Sequence, residues 1–188
     1  GIRSTINTSH LILAPGAGLL DFFPDSPCIP TLGHLAVVEW PDAPITKDLA
    51  FSLGGHLFPL EKDYWLVGAT YFRPPDAIPP HRVLWQNLVE SICPWLPSIR
   101  SAKVVQWWSG MRAVIQPHRQ PVVGPLPSHP SCHVLGGLGS KGLLWGPLLA
   151  QQLALHLLDP NFCLPDFIRR PAQNASWQLQ LEHQENIG

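Results

Sequence analysis

Two places in the sequence bring together residue types that could do chemistry. The first is Gly136-Gly137-Leu138-Gly139-Ser140-Lys141-Gly142, between a short β-rich stretch at 132–135 and an apolar run from Leu143 to Leu158. Glycines let the backbone approach a ligand with no Cβ in the way. A helix starting there offers unpaired N–H groups and a partial positive charge, which suits an anion or an electron-rich carbonyl. A plain tight turn would use the same glycines, and isolated G-x-G spacing does not separate the two readings. The second place is Trp107-Trp108-Ser109-Gly110-Met111-Arg112, within a stretch of strand composition at 102–115. Alternation puts Gln106, Trp108, Gly110 and Arg112 on one face. The strand reads as largely buried, where a guanidinium is costly unless paired. Its planar fork fits a carboxylate through two hydrogen bonds, belonging either to a substrate or to an internal Asp or Glu. His34, His56 and Tyr71 could line a pocket or simply satisfy local hydrogen bonds.

The elements that must position these residues follow from the apolar pattern. Residues 9–14 read as a buried strand ending at Pro15-Gly16-Ala17-Gly18. Residues 33–40 and 64–71 read as strands, and Gly54-Gly55 as a bend between two apolar stretches at 50–60. The turn Glu61-Lys62-Asp63 suggests a hairpin. Val83, Leu84, Leu88, Ile92 and Trp95 fall at helical spacing after Pro79-Pro80. Residues 116–130 read as a proline-rich loop containing Pro121-Val122-Val123-Gly124-Pro125, a turn after a short extended segment. Residues 160–188 read as a polar surface tail, including the Arg169-Arg170 pair. The order predicts an α+β fold: a mixed or antiparallel sheet inserted between two pieces of an α/β sheet.

Bulk composition removes several classes. Twelve Lys and Arg against 13 Asp and Glu leave a net charge of −1, which gives no basic face for gripping phosphates and argues against a nucleic-acid partner. Cys28, Cys93, Cys132 and Cys163 are dispersed and read as buried or free thiols, as in a reducing, cytoplasmic compartment. The nine His are dispersed along the chain, and no metal site is expected. The most apolar window, 142–158, carries Gln151, Gln152 and His156 and is too short and polar to span a bilayer. No signal peptide opens the chain, and no membrane role is expected. Twenty-two Pro and eight Trp imply many forced turns and large rings in need of packing partners.

Taken in order, Ser109-Gly110-Met111-Arg112, Pro121-Val122-Val123-Gly124 and Gly137-Leu138-Gly139-Ser140-Lys141-Gly142-Leu143 resemble the C-terminal signature of the D-amino-acid-oxidase-like FAD-dependent oxidoreductases, which include glycine and sarcosine oxidases. Leu11 to Ala17 is similar to the strand and turn shortly before that family's substrate domain, and Leu66 to Thr70 to a strand within it. The likeness runs over about residues 9–158. Leu138 to Leu143 and Gly68-Ala69-Thr70-Tyr71 look closest to the oxidase half of the bifunctional enzyme that finishes a 5-methylaminomethyl-2-thiouridine modification in tRNA.

The resemblance implies a division into residues 1–30, the end of an FAD-binding domain; 31–112, a substrate-binding sheet domain; 113–160, the last strand–turn–helix of the FAD-binding domain; and 161–188, a C-terminal tail. It implies substrate contacts by Arg112, Trp108, Tyr71 and His56, with Arg112 holding a carboxylate. It implies flavin contacts by Gly16, Ala17, Gly137, Leu138, Gly139, Ser140, Lys141, Gly142 and Leu143. The implied reaction oxidises the C–N bond of an amino acid or secondary amine by hydride transfer to FAD. The family's N-terminal glycine-rich turn, which cradles the ADP half of FAD, is absent. Leu32 stands where many relatives have Arg, and Pro15 where Thr is more usual. The expectation is a fragment, processed product or truncated form that holds FAD poorly without an N-terminal half. Two other readings are a non-catalytic interaction domain using Trp107, Trp108 and Trp145, and the oxidase domain of a tRNA-modifying enzyme.

Overall fold

The computed structural model describes residues 5–73, 75–159, 161–165, 168 and 177–179. Most of the 161–188 tail, with Arg169-Arg170, lies outside the described residues. Two compact units form: Thr31–Met111, and Gly1–Pro30 together with Arg112–Gly188.

The first unit carries a five-stranded sheet. Its strands are β2 (Cys28–Glu39), β3 (Phe51–Ser52), β4 (His56–Pro59), β5 (Tyr64–Gly68) and β6 (Lys103–Ile115), in the order β3-β4-β5-β2-β6. The chain enters and leaves the unit within β2 and β6. Strands β4 and β5 form an antiparallel hairpin with Leu57 opposite Val67, and Lys62 takes a positive φ of 55° in its turn. Strand β5 pairs antiparallel with β2, placing Val67 opposite Ala36. Alternation sends Ala36, Val38, Trp40, Leu57, Trp65 and Val67 inward, where they meet Ile92 and Cys93 at the end of helix α2 (His81–Ile92). Helix α2 starts behind Pro80, whose missing N–H costs nothing there. It ends before Trp95, which is largely exposed and takes no part in the apolar stripe.

The second unit carries strands β1 (Leu11–Leu13), β7 (Val122–Pro125) and β8 (Cys132–Gly136) in the order β1-β8-β7. Strand β1 is parallel to β8, and β7 antiparallel to it. A single 3-10 turn at Gly16–Gly18 leads into the short helix α1 (Leu19–Phe22), and α3 spans Gly142–Leu158. One core gathers Leu19, Phe23, Ile115, Val122 and Val134, and another gathers Val123, Leu149 and Leu153.

Four expectations are corrected. Residues 122–125 are a strand, because β8 supplies a pairing partner that the local sequence does not reveal. Strand β1 is not buried: Leu11 and Ile12 are 41% and 49% exposed, since β1 is the outer strand, with one neighbour among the described residues. Strand β6 is also an edge strand, and Val105, Trp108 and Met111 on it are exposed. Burial along β6 sets in only at Ala113, leaving Arg112 half-buried. The tail contributes core residues. Leu164 and Ile168 pack with Val123, and Trp177 packs against Phe23 with ring centres 5.3 Å apart. A polar average conceals such isolated apolar residues.

Candidate functional site

Strands β1 and β8 lie side by side and run the same way, with Leu11 opposite Cys132 and Leu13 opposite Val134. Each ends in a glycine turn: Gly16-Ala17-Gly18 after β1, and 137–141 after β8. Gly16, Ala17 and residues 137–143 therefore belong to one unit, at the carboxyl ends of two adjacent parallel strands. In open α/β sheets this is where ligands bind.

The glycines in these turns are required for different reasons. Gly137 has φ +69°, and a Cβ there would lie 2.3 Å from Ile115 Cγ1. Gly16 and Gly139 also take positive φ, but an added Cβ meets nothing within 4 Å at Gly16 and only Val114, at 3.7 Å, at Gly139. The turn is thus anchored at Gly137 and open at Gly16 and Gly139.

Not every turn N–H is available. Gly139 donates to the Ala113 carbonyl at 2.9 Å, and Leu144 and Trp145 donate to Lys141. The N–H groups of Ser140, Gly142 and Leu143 have no backbone acceptor among the described residues. Residues 137–142 do have G-x-G-x-x-G spacing. After α3 the described residues 161–165 are irregular, and no second parallel strand follows α3 among the described residues. Leu143 at the start of α3 is 99% exposed.

In the sheet unit, His56 and Tyr71 line one cavity of about 440 Å³, with Gly54, Gly68, Thr70 and Asn87. Trp108 is not among its lining residues and stands exposed on β6. Arg112 belongs to the other unit. Two of the four expected substrate contacts, His56 and Tyr71, are thus brought together in one cavity. Of the tryptophans available for an interaction surface, Trp107 packs on the sheet core and Trp145 on the Val123 cluster. Only Trp108 of the three is left largely exposed.

Sequence reasoning missed two histidine clusters. His133 on β8 is buried, with its ring 5.4 Å from that of His10 and 6.2 Å from that of His156. His156 Nδ1 pairs with the Phe162 carbonyl at 2.9 Å. In the sheet unit, buried His34 pairs through its N–H and Nδ1 with Thr70 Oγ1, at 2.9 and 3.0 Å. His81 stacks on Trp107 beside it, with ring centres 4.8 Å apart. Strand and helix pairing assembles these groups from distant positions, so no local spacing could reveal them. No group of three or more His, Cys, Asp and Glu placed to hold a metal ion is found among the described residues.

These clusters imply an acid-sensitive fold. Burial, reinforced by His10 and His156, lowers the His133 pKa; burial and His81 lower that of His34. Both rings therefore resist protonation more in the folded state than in the unfolded chain. As the pH falls below the ordinary value of about 6.5, the unfolded chain takes up protons that the folded chain resists. Stability is full above that pH and is lost as the pH falls through the folded-state values. The urea midpoint is expected to drop between about pH 7.5 and 5.5, with His133→Gln reducing the pH dependence. A midpoint that stays level across that interval would contradict this account.

The four cysteines are free thiols; Cys28 and Cys93 are buried, and burial pushes the Cys28 thiol up. No helix among the described residues is long and apolar enough to cross a membrane.

Comparison with known proteins places the chain in a family. The family model for FAD dependent oxidoreductases (DAO) matches residues 1–155. The chain is 36% identical, over 80% of its length, to the tRNA 5-methylaminomethyl-2-thiouridine biosynthesis bifunctional protein MnmC of Maricaulis maris (strain MCS10), of which it covers 24%. Among solved structures it is similar to iminodiacetate oxidase (IdaA) from Chelativorans sp. BNC1, with a TM-score of 0.70 at 19% identity, covering 87% of this chain and 46% of that one. It is also similar to glycine oxidase from Geobacillus kaustophilus, with a TM-score of 0.63 at 23% identity, covering 95% and 46%. The chain spans about a quarter of the length of its curated relatives. With the motifs of β6, β7 and the turn before α3 in their family order, and the fold matched across both units, the chain belongs to the DAO family of FAD-dependent oxidoreductases.

Proposed function

We propose that this chain is the C-terminal part of an FAD-dependent enzyme that oxidises the C–N bond of an amino acid or secondary amine. The observation that carries the reading is the pair of glycine turns at the ends of β1 and β8. There the Ser140, Gly142 and Leu143 N–H groups stand ready beside backbone open at Gly16 and Gly139. Bound flavin would accept the hydride leaving the substrate carbon. The chain's own residues supply position and charge. Ser140, Gly142 and Leu143, at the positive end of α3, would stabilise negative charge on the ring edge resting there. Arg112 would hold the substrate carboxylate, with Trp108, Tyr71 and His56 as further substrate contacts.

The remainder of the FAD-binding domain has a natural seat in this reading. Strand β1 has an edge with no partner strand among the described residues, and Leu11, Ile12, Leu143 and Leu144 are exposed in the same unit. Apolar side chains and an unpaired edge favour burial against further protein. The 188-residue chain expressed by itself is therefore expected to carry no visible flavin band. The protein completed with an FAD-binding half should carry one, and anaerobic glycine, sarcosine or iminodiacetate should bleach it. Flavin that no such amine bleaches would sink the substrate assignment, and a flavin band on the isolated chain would sink the need for a second half.

A second reading makes the amine part of a modified uridine in tRNA. The curated relatives favour it by name, and it requires phosphate contacts to come mainly from outside this nearly neutral chain.

A further inference from the structure

Buried His34 on β2 and Thr70, in the chain after β5, are joined at three points. The Thr70 N–H donates to the His34 carbonyl at 3.1 Å, as in ordinary strand pairing. The return bond goes to a side chain: the His34 N–H donates to Thr70 Oγ1 at 2.9 Å. The same oxygen lies 3.0 Å from His34 Nδ1. Two residues on, Leu32 and Phe72 exchange both backbone hydrogen bonds at 2.8 Å. Gly68 permits this close approach, since a Cβ there would lie 3.0 Å from the His34 carbonyl oxygen and 2.5 Å from Leu35. Ala69, Thr70, Tyr71 and Phe72 form one wall of the cavity of about 440 Å³. The His34–Thr70 pair therefore holds that wall.

A hydroxyl donates one hydrogen bond and accepts two. Thr70 Oγ1 accepts from the His34 N–H, and His34 Nδ1 is the acceptor within reach of its own proton among the described residues. With a neutral ring, the arrangement that satisfies every group has Nδ1 accepting and Nε2 carrying the ring proton. Thr70 then keeps one lone pair and meets a guest as an acceptor. Protonation of the ring makes Nδ1 a donor, which fills that lone pair and turns the Thr70 O–H outward. The surroundings favour the neutral ring. Phe72, His81 and Trp107 stand edge-on to it, with ring centres 5.9, 6.1 and 6.4 Å away. Of these only His81 titrates, and it sits at the positive end of α2, where a second cation is disfavoured. No carboxylate is hydrogen-bonded or ion-paired to His34 among the described residues. Burial first, and His81 second, push the His34 pKa down.

We propose that His34 is a positioning residue for amine oxidation: through the Thr70 hydroxyl it holds the wall at 69–72 and leaves Thr70 Oγ1 as an acceptor for the N–H of the substrate. The proposal rests on the reading of this chain as part of an amine oxidase, with Tyr71 and His56 of the same cavity as substrate contacts. Hydride loss from the substrate carbon draws on the nitrogen lone pair. An acceptor at Thr70 takes the N–H and leaves that pair free, whereas a donor there would tie it up.

The test uses the flavin-loaded protein and an amine that bleaches its flavin, following kcat/KM from about pH 5.5 to 8.5. Each variant is compared with the unaltered protein at the same pH, which cancels the titration of the substrate's own nitrogen. Thr70→Val, isosteric but without the hydroxyl, and His34→Leu, without the ring acceptor, should each lower kcat/KM about tenfold near pH 8. Thr70→Ser should recover most of the loss. His34→Asn offers a carbonyl near the place of Nδ1 that takes up no proton. It should also recover most of the loss near pH 8, and it should overtake the unaltered protein as the pH falls below about 6.5, where the His34 ring begins to charge. Flavin retention and circular dichroism on the same samples report folding. A ratio of His34→Asn to unaltered protein that stays level with pH, or a Thr70→Val protein as active as the unaltered one, overturns the positioning role and leaves the oxidase reading standing. Absence of turnover with glycine, sarcosine and iminodiacetate overturns both.

Discussion

Replacing Arg112 by Ala in the flavin-loaded protein is expected to raise KM for a carboxylate-bearing amine about 100-fold, which corresponds to about 2.8 kcal/mol. Arg112 is half-buried, at the point on β6 where exposed residues give way to Ala113 and Ile115. A guanidinium held there loses part of its water, so a bidentate carboxylate contact is stronger than at a free surface. Arg112→Lys keeps the charge but not the fork, and should recover only part of the loss. An amine of similar size without a carboxylate is the internal control, and its KM should move little. Equal increases for both substrates would show that Arg112 acts through packing of its stem and not through the carboxylate.

Gly137→Ala is expected to destabilise the unit containing the glycine turn before α3 by about 2–5 kcal/mol, against about 1–2 kcal/mol for Gly139→Ala. Both positions need positive φ, +69° and +57° respectively, so both pay for left-handed backbone. Only Gly137 also has Ile115 against it, with Cγ1 and Cδ1 at 2.3 and 2.9 Å from the added Cβ. Ile115 is 2% exposed and held among Leu19, Val122 and Val134, so it has little room to yield. Urea unfolding at constant m-value measures the difference. A Gly137→Ala midpoint no lower than that of Gly139→Ala would refute the assignment of Gly137 as the anchor.

Much of the fold around the candidate site is legible because its signals are local. The β4–β5 hairpin follows from alternation around a charged turn, and α2 from apolar spacing behind Pro80. The glycine turn before α3 follows from its residue types, and motif order across 109–143 pointed to the family. What remained hidden depends on neighbours distant in the chain. Strand β7 is a strand because β8 pairs with it, with Val122 opposite Gly136. The His10–His133 contact exists because β1 lies parallel to β8, and Trp177 enters the core because a late segment returns to Phe23.

The glycine turn shows the same division at its smallest scale. Residue type alone determined that 136–142 can adopt positive φ and that an apolar helix follows. Only tertiary structure decided which N–H groups stay available. Gly139 is taken by the Ala113 carbonyl, while Ser140, Gly142 and Leu143 have no backbone acceptor among the described residues. A hydrogen bond from β6 to this turn closes a loop of more than twenty residues. Its partner is selected by packing of the whole unit, which local propensity does not encode.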